Sequence, residues 1–192
     1  MTRRNASLAA AAILISVVAI FIGWWMGRER QRPGDARQVD APELQIIEGE
    51  TMTAELFFPG PRGRLFTEER EVPVHGDLLG QLEEVLDELV AGPVTEDLFP
   101  ALPPEITVEW LHLSPTGVLH VDLKFAGGAP FPAWGSRQEM LAVYSLVNTL
   151  LANAPEISSV VLLRNGQQRS TFAGHLDTSR PLLPNQQLIA TR

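Results

Sequence analysis

Cysteine is absent from all 192 residues. Its absence excludes a disulfide framework, a thiolate nucleophile, cysteine-ligated zinc and a lipid-modified cysteine. Lys and Arg are absent from Glu71 to Leu123, a stretch that holds eleven Asp and Glu. None of Ser114, Ser136, Ser158, Ser159 and Ser170 stands in a G-x-S-x-G context. Neither Gly127-Gly128 nor Gly60-Pro61-Arg62-Gly63 leads into the Lys-Ser/Thr helix start of a phosphate loop. There is no internal repeat with matching residues. From Gln38 onward, 9 Lys+Arg face 21 Asp+Glu, a net charge near −12. Such a surface repels nucleic acid and anionic headgroups, so nucleic acid is not an expected partner.

What is present begins with an uncharged run, Ala6 to Met26, close to the ~20 residues a helix needs to cross a bilayer core. It is longer than the core of a cleaved signal peptide and no A-x-A-like site follows. Trp24 and Trp25 at its end read as an interfacial belt. The expectation is therefore a tail at 1–5, a transmembrane anchor at 6–26 and membrane association through that helix. A stalk follows at 27–50, without periodicity and carrying Pro33, Gly34 and Pro42, and then one domain at 51–192. The flanking charge is ambiguous. Arg3 and Arg4 precede the run; Arg28, Arg30, Arg32 and Arg37 follow it, which by count would hold the domain inside the cell.

Thr51–Phe58 has strand composition, with Ala54, Leu56 and Phe58 alternating against Thr53, Glu55 and Phe57. Pro59 to Gly63 forces a turn, and Leu65–Val74 is a second extended piece. Asp77 caps a helix over Leu78–Ala91, with Leu78, Leu82, Val85, Leu86 and Leu89 inward and Gln81, Glu84 and Glu88 outward; Gly92-Pro93 stops it. Ile106–Leu113 and Val118–Phe125 form a hairpin. Ser136-Arg137-Gln138-Glu139 fits a capping box opening a second helix to about Ala154. Ile157–Leu163, Asn165-Gly166 and Gln168–Ala173 read as a last hairpin. The order β(β)αββαβ(β) predicts an α+β domain with two helices packed on one face of a sheet.

Several pieces in this order carry a resemblance: Leu56-Phe57-Phe58, the helix end Leu89-Val90-Ala91-Gly92-Pro93, Pro103-Pro104-Glu105-Ile106, and Gly117 to Leu123. Leu146 to Leu150, Val160 to Leu163 before Asn165-Gly166, and Gly174 to Leu182 complete the set. From about Thr53 to Leu183 the chain resembles the GerMN domain, the sporulation and spore-germination domain of bacterial envelope proteins. Many relatives are lipoproteins, from which this cysteine-free chain departs. The resemblance implies an extracytoplasmic domain for protein association, with no catalytic residue and no cofactor to carry over. It also marks Gly92, Pro93, Asp122, Gly174 and Asp177 as structural signatures. Gly92 and Pro93 make the helix stop, Asp122 lies on the open face of a strand, and Gly174 and Asp177 lie in a terminal turn.

Two other functions stay open. His75-Gly76-Asp77, His120-Val121-Asp122 and His175-Leu176-Asp177 pair imidazole with carboxylate, a first shell suited to zinc, iron or manganese. A metal-dependent envelope hydrolase would use His120, Asp122, His175 and Asp177. A wall-ligand module would stack Trp110 or Trp134 on a sugar. Against these, Asp77 reads as a cap and Asp177 as a turn residue, so neither a metal nor catalysis is expected. The acids Glu83, Glu84, Asp87 and Glu88, whose like charges at i, i+4 repel by ~0.2–0.5 kcal/mol per pair, read first as a solvated face of the helix, with a docking face for a basic envelope protein as the alternative.

Overall fold

The computed structural model describes residues 46–125 and 133–191. The uncharged run at 6–26 and the stalk up to residue 45 lie outside them. Among the described residues no helix is long and apolar enough to cross a membrane. In chain order the elements are β1 (Ile46–Gly60), β2 (Arg64–His75), α1 (Leu78–Ala91), β3 (Ile106–Leu113), β4 (Val118–Phe125), α2 (Ser136–Asn153), β5 (Ser159–Arg164) and β6 (Gln167–Gln168). β1 begins ahead of the Thr51 expected, with Ile46 opposite His75. The last strand is far shorter than Gln168–Ala173.

The strands form two sheets where one was expected. β1 and β2 make an antiparallel ribbon, and the other four run in the order β3-β4-β5-β6. β4 and β5 are parallel, with α2 as the crossover between them. The reason for the separation is on the outer edge of β1. There the backbone of Glu55 and Phe57, turned away from β2, is taken by α2. Thr149 Oγ1 accepts from the Phe57 N–H at 3.1 Å, and Ser145 Oγ donates to the Phe57 carbonyl. Asn153 accepts from the Glu55 N–H at 2.9 Å and donates to its carbonyl at 2.8 Å. Ser145, Thr149 and Asn153 recur every fourth residue, so one helical stripe stands where another strand would pair.

The core lies between these layers. Leu56 and Phe58 of β1, Leu82 and Leu86 of α1, Leu119 and Leu123 of β4, and Leu146 and Leu150 of α2 are all sealed from solvent. Burying each such side chain contributes roughly 1.5–3 kcal/mol. Phe57, on the other face of β1, packs with Leu65 and Leu141 in a second small cluster.

α1 has the bounds its caps dictate. The Asp77 carboxylate accepts from the Gly80 N–H at 2.9 Å, and Gly92 at φ 92° closes the helix with its N–H on the Leu89 carbonyl. Gln81 turns inward, contrary to its expected outward place. It accepts from the His75 N–H at 2.8 Å and donates to the Pro73 carbonyl at 3.0 Å, tying α1 to the end of β2. α2 starts without its expected box. Gly135 is the N-cap and Ser136 makes no cap bond. The fully buried Glu139 carboxylate instead accepts from the Ala173 and His175 N–H groups at 2.5 and 2.8 Å.

Behind α1, Glu68 and Arg70 of β2 form a buried hub. Arg70 pairs with Glu68, donates to Glu88 Oε2 at 2.6 Å and to the Gly92 carbonyl at 2.8 Å, and lies 5.8 Å from the Phe58 ring centroid. Glu68 also accepts from the Val94 N–H at 3.2 Å and the Thr95 N–H at 2.9 Å. Burial opposes its charge, but hydrogen bonds from Thr95, Arg70 and Val94 outweigh it and lower the carboxyl from 4.5 to about 2.

The chain after β6 fastens both sheets. Leu182 exchanges backbone hydrogen bonds with Val160 of β5 at 2.7 and 2.9 Å. Farther on, the Ala190 N–H reaches the Leu65 carbonyl at 2.8 Å, and Arg64 donates to the carbonyls of Gln187 and Ile189.

Two outcomes follow from these bonds. Thr149→Val keeps the shape but leaves the buried Phe57 N–H without an acceptor. Chemical denaturation should read a loss of roughly 1–3 kcal/mol, with Thr149→Ser recovering most of it. Glu68 has a folded pKa below its unfolded one, so its contribution is present above pH 4.5 and is lost as pH falls toward about 2. A shift of that size is on the order of 3 kcal/mol. Glu68→Gln should therefore be less stable near neutrality, and its stability should depend less on pH across that window than the wild type's.

Candidate functional site

The candidate docking face on α1 is only partly free. Glu88 is held by Arg70, and Glu84 Oε2 lies 3.2 Å from Nε2 of His75, whose side chain is 4% exposed. Relief of the like charges thus comes from β2, and Arg70 stands immediately before the stretch that lacks basic residues. Glu83 and Asp87 make no ion pair among the described residues. Partial burial, with Glu84 and Glu88 adding repulsion, raises the Asp87 pKa.

The His-Asp pairs do not converge. Asp77 caps α1. Asp122 is not on an open face: it is buried, and both its oxygens lie 2.8 Å from the Gly166 N–H. The Asn165-Gly166 turn has positive φ at both residues, 52° and 73°, and the Asp122 carboxylate pins it against β4. His120 instead faces His112 across the hairpin, with ring centroids 6.0 Å apart. Asp177 Oδ1 accepts from the Ser179 N–H and hydroxyl at 2.9 and 2.6 Å, bonds that hold its pKa down. It sits in the turn expected of it, with Gly174 at φ 118° between the two N–H groups that Glu139 clamps. His175 Nε2 lies 2.9 Å from the Trp134 carbonyl. Among the described residues no three His, Asp or Glu are grouped to hold a metal.

Of the two tryptophans considered for a sugar platform, Trp134 is buried against Phe172, with ring centroids 5.9 Å apart, and offers no open face. Trp110 on β3 is 38% exposed. The sequence reading missed a different surface. Phe99, in the loop after α1, is 58% exposed. It borders a groove of about 530 Å³ together with Pro59, Pro100, Ala101, Arg137 and Leu141. Its one signal in the sequence was the run of prolines that follows it.

Similarity to known proteins is consistent with this architecture. The tandem GerMN domains of the sporulation protein GerM from Bacillus subtilis superpose with a TM-score of 0.56 at 20% identity, over 70% of this chain. The chain spans 46% of that tandem structure, about one of its two domains. The first GerMN domain of the same protein gives 0.53 at 19% identity, covering 69% of this chain and 98% of that one. At these identities the likeness shows the fold. No curated protein gives a match. The family model described as "Sporulation and spore germination", Germane, matches residues 55–170. With more than half its length matched, the chain belongs to the Germane family of sporulation and spore germination domains.

Proposed function

We propose that this protein is a single-pass membrane protein whose GerMN-type domain lies outside the cytoplasm and joins other proteins in a bacterial envelope complex, without catalysis. The observation that supports this reading most is how its carboxylates are used. Asp122, Glu139 and Glu68 each accept from backbone N–H groups of the domain's own loops, and Asp77 from the first turn of α1. These acids serve the fold, and the domain's remaining assets are surfaces. Family membership and the uncharged run at 6–26 support the location. A domain of this length translocates largely regardless of its own charge, so only the Arg residues flanking the run oppose this side.

A phosphatase fused to the C-terminus should be active in intact cells. An inactive phosphatase combined with a fluorescent cytoplasmic reporter at the same position would refute the location.

The acidic face of α1 enters this proposal through its unpaired members, Glu83 and Asp87, as the contact for a basic partner. Replacing them with Gln and Asn should hold or slightly raise stability, because the fold disfavours the charged Asp87. The same change should weaken capture of the partner from native membranes, and 0.5 M salt should mimic it by screening. Glu88→Gln should instead destabilise the domain, since it removes the Arg70 pair. Equal capture by wild type and the Glu83/Asp87 variant would leave α1 a solvated helix.

A further inference from the structure

The loop joining α1 to β3 holds apolar side chains out in water while its backbone is pinned. Val94 is 79% exposed and Phe99 58%. Yet the Val94 and Thr95 N–H groups are held by Glu68, and the Phe99 N–H donates to the Pro59 carbonyl at 2.8 Å. Gly60 lets this loop lie close: a Cβ there would stand 2.6 Å from the Phe66 ring and 2.8 Å from Leu98. Exposure here is therefore a feature of ordered backbone, which lowers the entropy cost of using Phe99 as an anchor.

The groove beside Phe99 has an unusual rim. Arg137 projects from the first turn of α2 against the β1–β2 turn, where a Cβ on Gly63 would fall 2.8 Å from its Nη1. Arg62 and Arg64 flank that glycine and line the adjoining concavity with Phe66 and Ala190. All three guanidinium groups are exposed, and none pairs with a carboxylate among the described residues. In a chain of net charge −8, three cations without a carboxylate partner round one turn make a place among the described residues where a negative partner is attracted and not repelled.

We propose that this groove docks an acidic peptide segment of a partner protein. An aliphatic side chain of the segment packs on Phe99, Ala101 and Leu141, and its carboxylates lie beside Arg62 and Arg137, with Arg64, whose Nη groups are held by the Gln187 and Ile189 carbonyls, adding its charge alone. The concave shape favours a peptide over a flat lipid surface, and Arg suits bidentate recognition of carboxylates. The inference deepens the association reading above by naming a second contact and the chemistry that fits it. It is separate from the acidic face of α1, which would take a partner of the opposite charge.

The test uses the full chain and a fluorescent, N-acetylated decapeptide of alternating leucine and glutamate, with a leucine–lysine twin as control. Anisotropy should show the glutamate peptide binding at least tenfold more tightly. Arg137→Glu and Phe99→Ser should each weaken it at least fivefold, while Arg180→Glu, at an exposed site outside the groove, should not. Both key positions are exposed, and circular dichroism checks that the variants fold. No binding at millimolar concentration, or binding unchanged in both variants, overturns the groove. Displacement of the peptide by phosphatidylglycerol vesicles but not phosphatidylcholine ones would also overturn it, in favour of a lipid surface. Capture of partners from native membranes separates the two readings. Capture undiminished in the Arg137→Glu/Phe99→Ser double variant rejects the groove and keeps association. Failure of the wild type to capture anything rejects association, while the peptide result still judges the groove.

Discussion

The arrangement depends on how one strand edge is satisfied. β1 carries a full set of backbone donors and acceptors on the side away from β2, and these cannot be buried unpaired. Ser145, Thr149 and Asn153 meet that demand from a helix. Once they do, β1 has no edge left for the larger sheet at this point, α2 is fixed along β1, and the apolar side of α2 is left to face the core. The burial of α2 nearly all round follows: Ser145 and Thr149 of its polar stripe are as hidden as Leu146 and Leu150.

A second polar cluster sets where α1 ends relative to β2. Glu68 and Arg70 bind the last turn of α1, the Gly92 carbonyl and the first amides of the next loop. Charge-assisted bonds of this kind, nearly closed to water, hold direction as well as distance. The loop that leaves the hub is ordered for that reason, and Phe99 is presented from a fixed base.

Legibility in the sequence followed the range of each interaction. The ends of α1 were readable because Asp77, Gly92 and Pro93 act within a few residues of themselves. The Asn165-Gly166 turn and the inward face of Ala54, Leu56 and Phe58 were readable for the same reason. Glu139 was misread as a helix cap because its partner amides lie 34 and 36 residues away, and Asp122 as a solvated strand residue because Gly166 lies 44 away. The division into two sheets was hidden likewise, since hydroxyls on a helix do not announce that they will serve a strand. At the candidate site the acidity of α1 could be read directly. Its partial neutralisation by Arg70 could not, because that depends on how β2 packs behind the helix.

The stretch after β6 has a consequence for the order in which the molecule can form. Its carbonyls accept from Arg64 across a separation of 123 residues, and it also closes β5 at Val160. The β1–β2 ribbon and α1 can appear early from nearby contacts. The edges at Leu65 and Val160 must stay open until residues 182–190 have emerged. Closing so long a loop is slow, because its chain entropy is lost before any contact compensates. In that interval the nascent chain displays unpaired strand edges beside an unfinished core. In this window the chain is at its most pliable and also most exposed to proteases and to wrong partners.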